Sequence, residues 1–313
     1  MHAILLNERP YTLSQSLTQD RHFEPALPYV FDLDYLGTLA VTGDMRASFL
    51  QGQVTCDVQD VTATHMRPGG MCSLQGRLLT LFDVIAWQET LHMIMPRDLL
   101  KTTQQRLAKP ALFSRVHLQI NDHCACLGLY LPPHAYLPNL PCALPNVPGQ
   151  ASQHDDAYCY AISEQLYIIL LRNADHKQSW LAAFPNEQQR GSLAWHYLEL
   201  QLPRFTIYPN TRDRFLPHNL QLHTTPYLSF NKGCYKGQEI IARMQYRAKL
   251  KHELRLNEIT CSHPIYAGQK CLATPQGAEI GEIIDYCPID TDRYLVAMFI
   301  LKDHSEQVYF DHM

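Results

Sequence analysis

The sequence predicts an α+β protein built on antiparallel sheets. Three observations carry this. Strand-like runs return on themselves across short polar gaps, amphipathic helical stretches fall between them, and residues 252–301 read as strand and turn alone. At 313 residues the chain is too long for one small core and divides into about two domains, placed at 24–245 and 246–313. Hydrophobic residues at 46% and charged residues at 18% mark a globular chain rather than a disordered one.

In order along the chain, residues 1–28 are polar, hold three prolines and show no sustained period; they are expected to wrap the first domain. LGTLAVTGD (36–44) alternates and breaks at Gly43, a strand and its turn. Met45, Phe49 and Leu50 then follow at helical spacing until Gly52 stops the helix. RLLTLFDVIAW (77–87) and TLHMIM (90–95) flank a polar gap as a hairpin does. RDLLKTTQQRLA (97–108) reads as an amphipathic helix closed by Pro110, and VHLQI (116–120) returns as a strand, so 45–130 is an α+β unit. Six prolines in 132–148 remove the backbone donors that a helix or ladder needs, which leaves a loop or polyproline-like segment. Order resumes with YCYAISEQLYIILL (158–171), a helix around 176–184, and a helix over 191–202 with Leu193, Tyr197 and Leu200 on one face. EIIARMQYRAK is a short helix or strand, and Gly268, Gly277 and Gly281 punctuate a final small β-barrel or sandwich.

A net charge of −4 gives no global case for a polyanion-binding protein, so any basic site is local. The longest apolar runs, such as Tyr167–Leu171, fall far short of the ~18–20 residues of a membrane helix. MHAILLNERPYTL lacks a basic n-region and a long apolar core, so a secretory signal is not expected. The location expected is cytoplasmic, with the ten cysteines mostly reduced. There is no Cys-x-x-Cys, Cys124 and Cys126 lie in an alternating run as core residues do, and no metal site is expected.

One cysteine stands apart. In NKGCYKGQEIIAR (231–243), Cys234 lies between Gly233 and Gly237 with Lys232 and Lys236 on either side. The glycines allow a tight turn. If Gln238 and Glu239 open a helix, its first-turn N–H groups and the two lysines would favour the thiolate. The plainer reading is a charged surface loop. The segment 232–255 holds seven basic residues, Arg243 among them, against two acids. That local excess suits an anionic ligand, nucleic acid or an acidic partner, or else a protected sheet edge.

Lys232-Gly233-Cys234-Tyr235-x-Gly237-Gln238-Glu239 resembles the K-G-C-Y-x-G-Q-E signature of YgfZ-type folate-binding proteins, paralogues of the glycine-cleavage T-protein. Phe215-Leu216-Pro217 with Asn219-Leu220, Val41-x-Gly43, Phe49-Leu50-Gln51-Gly52-Gln53-x-Thr55-x-Asp57-Val58 and Gly281-Glu282-Ile283 resemble further blocks of that family, in its order, over about 30–300. The resemblance implies three subdomains in a ring around a central hole that holds tetrahydrofolate or a one-carbon derivative, with a small C-terminal β-barrel. It places Trp195 against the pterin, where the bland alternative is a core indole. It puts Tyr35 or Leu36 near a second stacking position, and Gln201 where the T-protein has its folate-binding glutamate, with Glu199 two residues away. Cys234 is expected on the rim of that hole.

A true aminomethyltransferase needs a positioned carboxylate. Here the family's Asp-Asp pair is replaced by Thr80-Leu81, and Asp83 is the nearest acid, on the same strand face about 6–7 Å further along. The preferred implication is therefore a folate-binding accessory protein that supports iron–sulfur cluster assembly or repair and, through it, tRNA thiomethylation, with Cys234 as the reactive thiol. Its partners would be folate and iron–sulfur client or assembly proteins. Direct tRNA binding by the basic segment is the less favoured alternative, and no membrane is involved.

Overall fold

The computed structural model describes residues 2–133, 135, 137, 142–304 and 307–311. The chain opens with a hairpin, β1 (His2–Leu6) and β2 (Arg9–Leu13), then α1 (Leu17–Asp20), β3 (Tyr29–Asp32) and β4 (Leu36–Thr42). There follow α2 (Arg46–Gln51), β5 (Arg67–Cys72), β6 (Leu78–Trp87), β7 (Thr90–Pro96), α3 (Arg97–Phe113), β8 (His117–Asn121) and β9 (Ala125–Tyr130). β10 (Ala151–Gln153), β11 (Ala157–Ala161), β12 (Leu166–Leu171), α4 (Asp175–Leu181), β13 (Gln189–Arg190) and α5 (Ser192–Gln201) come next. α6 (Gln238–Arg247) leads to β14 (His252–Thr260), β15 (Lys270–Leu272), β16 (Glu279–Pro288), β17 (Arg293–Leu301) and β18 (Tyr309–Phe310).

Besides the hairpin there are three sheets, ordered β5-β6-β7-β4-β8, β10-β11-β12-β9-β3-β13 and β14-β17-β16-β15-β18. Every pairing is antiparallel except β13 with β3. The outer face of the first sheet packs Leu39, Val41 and Val84 against Phe49 of α2 and Leu100 and Leu107 of α3. The outer face of the second packs Val30, Leu127 and Ile169 against Leu181 and Phe184. One large cluster joins the inner faces of both sheets to α5 and to the third sheet through Leu81, Ile94, Tyr160, Ile168, Leu200 and Ile283.

A bulge sets which residues of β6 look inward. Met71 pairs Thr80 while Cys72 pairs Leu78, so Leu79 is the extra residue. Leu81 joins the inner cluster and Phe82 and Val84 the outer one, so Asp83, two positions from Leu81, shares its face, as the strand alternation requires.

Two expectations need correction. Residues 1–28 do not merely wrap the first domain; β1 and β2 form a hairpin that ties the parts together. Arg9, 2% exposed, donates to Asp98 at the start of α3 at 2.8 and 3.0 Å and to Thr206 Oγ1 and Ile207 O at 2.7 and 2.8 Å. Its turn lies at Asn7 and Glu8, both at positive φ. The helix expected to close at Pro110 runs on to Phe113, because the missing N–H of a proline in the last turns costs one bond while Ser114 N still donates to Pro110 O. In 132–148 the described residues are neither helix nor strand, and Pro138 and Pro141 lie outside the described residues.

Candidate functional site

The inner faces of the first two sheets, the C-terminal half of α5 and the 204–206 segment enclose a cavity of about 50 Å³. Leu36, Leu81, Ile94 and Ile168 give it apolar walls, and Tyr35 and Tyr227 add aromatic ones. Its polar end is one cation between two carboxylates. Arg204 Nη2 donates to Asp83 Oδ2 at 2.8 Å, and its Nε to Glu199 Oε1 at 3.5 Å. Tyr160 Oη donates to the same Asp83 Oδ2 at 2.9 Å, and Tyr35 Oη to Glu199 Oε2 at 3.1 Å.

Among the fully buried side-chain polar atoms of Asp83, Glu199, Arg204, Tyr35 and Tyr160, one is left open. Asp83 is 4% exposed, yet its Oδ1 has no hydrogen-bond partner among the described residues. A buried acceptor left unmade costs about 1–3 kcal/mol, so the site is built to receive a donor. Burial pushes the Glu199 carboxyl above its ordinary value, with Arg204 offsetting part of the rise. Burial likewise raises Tyr35, Tyr160 and Tyr227, so all three stay phenols, and Tyr35 and Tyr160 donate to the carboxylates. Burial disfavours the Arg204 cation, but Asp83, Tyr227 and Glu199 more than restore it. His196 also lines the cavity, stacked on Tyr11 at 4.9 Å, with Asp285 Oδ1 behind it at 3.1 Å. Burial pulls the imidazole down, and the Asp285 carboxylate reverses this, leaving it raised. Chemically, the polar end matches a heterocycle that shows N–H donors beside a carbonyl oxygen. Among the described residues no three metal-ligating side chains converge anywhere.

The cysteine loop lies outside this cavity. Ser229 N donates to Thr55 O at 3.0 Å, Thr55 Oγ1 to Tyr227 O at 2.6 Å, and Lys236 N to Gly52 O at 3.3 Å, so the loop is stitched to residues 52–56. Lys232 Nζ is drawn into the same seam, donating to Val54 O at 2.7 Å and Cys56 O at 2.6 Å. Burial lowers the Lys232 ammonium to about 8, the nearby Cys56 and Asp57 resisting the fall. Gly237 starts α6 at φ +84°, where a Cβ would sit 2.4 Å from Ser73 O, so no other residue fits without rearrangement. Gln238 Oε1 accepts from Tyr235 N at 3.2 Å; Glu239 and Arg243 face solvent. Cys234 is the exposed cysteine of the ten.

No family model matches the chain. Among curated proteins it is 28% identical over 236 residues to the tRNA-modifying protein YgfZ of Colwellia psychrerythraea, covering 72% of this chain and 70% of that one. It is 26% identical over 262 residues to that of Sodalis glossinidius, covering 79% and 78%, and 29% identical over 233 residues to that of Hamiltonella defensa, covering 73% and 69%. The chain is a homologue of the YgfZ proteins. The glycine cleavage system aminomethyltransferase T from Bartonella henselae superposes with a TM-score of 0.75 over 99% of this chain and 90% of that one at 14% identity, which gives the T-protein fold.

The YgfZ-like residues singled out in the sequence are only partly brought together. The 49–58 block and the 232–239 signature meet across the seam just described, and Tyr35 and Leu36 line the cavity. Trp195 does not. Its indole is fully buried, against Phe31 at 5.2 Å and in a notch where a Cβ on Gly128 would come within 2.5 Å of it. It is a core residue one helical turn before Glu199. Gln201 faces solvent while Glu199 faces the cavity, because two residues along a helix turn through about 200°. Cys234 is not on the rim, Lys232 is committed to two carbonyls rather than to the thiol, and the Gln238 N–H is used by Tyr235 O. No hydrogen bond reaches Cys234 Sγ among the described residues. Arg204, Tyr160 and Tyr227 were not singled out; a lone arginine in the apolar stretch PRFTIY was the signal for the first.

Proposed function

We propose that this chain binds tetrahydrofolate or a one-carbon derivative in the central cavity and serves tRNA modification in the cytoplasm by supporting iron–sulfur clusters of other enzymes. The observation that carries the folate half is the unpaired Oδ1 of Asp83 beside Arg204 at the end of an apolar, aromatic-walled cavity. A pterin edge presents an amino group and a ring N–H that suit a carboxylate, next to a carbonyl that suits a guanidinium. Asp83 and Arg204 would hold that edge, Tyr35 and Tyr227 the ring faces, and a bound folate would supply a carrier for one-carbon units. At about 50 Å³ the cavity is smaller than the ~300–1,000 Å³ of ordinary ligand pockets, so entry of the ring requires the walls to part.

The tRNA half rests on the similarity to tRNA-modifying proteins, and the thiol on Cys234 being exposed in the signature loop. An exposed thiol exchanges with a partner's disulfide or sulfane sulfur, or meets a cluster, in ways a buried one cannot. The test is complementation of a strain lacking the gene. Cys234→Ala should fail to restore thiomethylated tRNA while its thermal stabilisation by tetrahydrofolate equals the wild type's; full restoration would remove the thiol from the function.

A further inference from the structure

The surface beginning at Cys234 carries a second feature that the cavity does not use. α6 buries one residue, Ile241, and turns Ile240 against the Gly76 turn and Gln245 onto His218. Gln238, Ala242 and Met244 are half-buried, and the remaining side chains of the helix are exposed. Arg243, Tyr246, Arg247 and Lys249 are exposed, and Lys302 N donating to Lys251 O brings two further cations beside them from the start of β14 and the end of β17. None of Lys236, Arg243, Arg247, Lys249, Lys251 and Lys302 forms an ion pair among the described residues, whereas the neighbouring Arg255 is neutralised by Glu253 at 2.7 Å. Two acids adjoin the cations, Glu239 in the first turn of α6 and Asp303. In the midst of these charges Tyr246 is 72% exposed, braced edge-on by Phe230 at 5.9 Å.

We infer that this face docks single-stranded RNA. The chain as a whole carries −4, so six unpaired cations on one helix and its flank are a local field that attracts a polyanion. A protein interface would rest on an apolar core depleted of charge, and this face is the reverse. Phosphates meet the Arg243–Arg247–Lys249 line, and a base stacks on the open side of the Tyr246 ring. Helix α6 has 10 residues, which puts its far end about 15 Å from its N-terminus and holds the docked strand within reach of Cys234.

Fluorescence anisotropy with a labelled RNA of about a dozen nucleotides, over ~50 to 200 mM salt, tests this. Wild-type protein should bind with a dissociation constant near the micromolar range at the low end and weaken steadily with salt. Arg243→Gln/Arg247→Gln/Lys249→Gln should flatten the log–log salt slope by about 2, at ~0.7 per cation removed. Tyr246→Ala should weaken binding about tenfold without changing the slope. Lys101→Gln/Arg106→Gln/Lys109→Gln, which removes exposed cations of α3, should do neither. Absence of salt-dependent binding by the wild type, as expected if the occupant is an acidic protein, would overturn the inference, and so would a loss that follows the α3 cations. Tetrahydrofolate binding and thermal unfolding measured on the same samples separate this outcome from failure of the folate reading or of folding.

Discussion

Replacing Arg204 by methionine removes the guanidinium that sits between Asp83 and Glu199 and leaves both carboxylates facing the cavity without it. The side chains of Arg204, Asp83 and Glu199 are 14%, 5% and 13% exposed, so solvent does little to compensate. Breaking one partner out of such a buried pair costs about 3–5 kcal/mol. For a chain of this length that is a fall in Tm of roughly 6–10 °C near neutral pH. The pH dependence has a definite sign. Burial already raises the Glu199 carboxyl and Arg204 holds that rise back, so its removal raises it further. A carboxyl with a raised folded-state value favours folding in its protonated form. Its penalty therefore grows as pH rises through that value and is absent below about 4.5, the ordinary value. Thermal unfolding should show a larger deficit near pH 7.5 than near pH 5. The triple change Asp83→Leu/Glu199→Met/Arg204→Met should recover most of the lost stability, since it leaves no charge behind. A deficit equal at both pH values, or smaller than about 2 °C near pH 7.5, would refute the reasoning.

Further predictions follow from the packing and the loop. Gly128→Ala drives a Cβ to 2.5 Å from the Trp195 ring in the middle of β9, and should lower Tm by roughly 2–6 °C through overpacking; an unchanged Tm would mean the indole is not seated there. Competitive acetylation of the native protein across pH should give Lys232 a midpoint near 8, and a midpoint at the ordinary lysine value would contradict its burial against Val54 O and Cys56 O. Brief alkylation followed by mass mapping should mark Cys234 ahead of the other nine cysteines, seven of which are buried; faster modification of the half-buried Cys261 or Cys142 would contradict the loop as described.

Strand alternation and helical spacing made most of the scaffold legible. α3 buries the face that its period marks, whereas LGTLAVT and the 78–87 strand form where expected but are buried on both faces, and α5 buries Ser192 to His196 all round while Tyr197 is half-buried. The opening hairpin was hidden because its stability comes from Arg9 reaching α3 and the 206–207 segment, contacts with sequence partners about 90 and 200 residues away that no local pattern records. The resemblance picked out α5, which does line the cavity, through residues that do not face it. Trp195 and Gln201 sit at positions that match by alignment, whereas helix rotation selects Glu199 for the cavity and Gly128 fixes Trp195 in the core. The sequence places Asp83 on the face of Leu81, one two-residue step further along, and strand alternation does turn it into the cavity beside Leu81; what it does not record is the partner, Arg204, that awaits it there. Arg204 lies beyond the end of α5, where charge burial is a tertiary property invisible in composition.

The most direct measurement is a calorimetric titration of tetrahydrofolate into wild-type, Asp83→Asn and Gln201→Glu proteins. Wild type should bind, Asp83→Asn should bind at least about tenfold more weakly because the ligand's N–H loses a charged acceptor, and Gln201→Glu should match wild type because its side chain faces solvent. Absence of binding by the wild type, or equal affinity in Asp83→Asn, would contradict the cavity as the folate site.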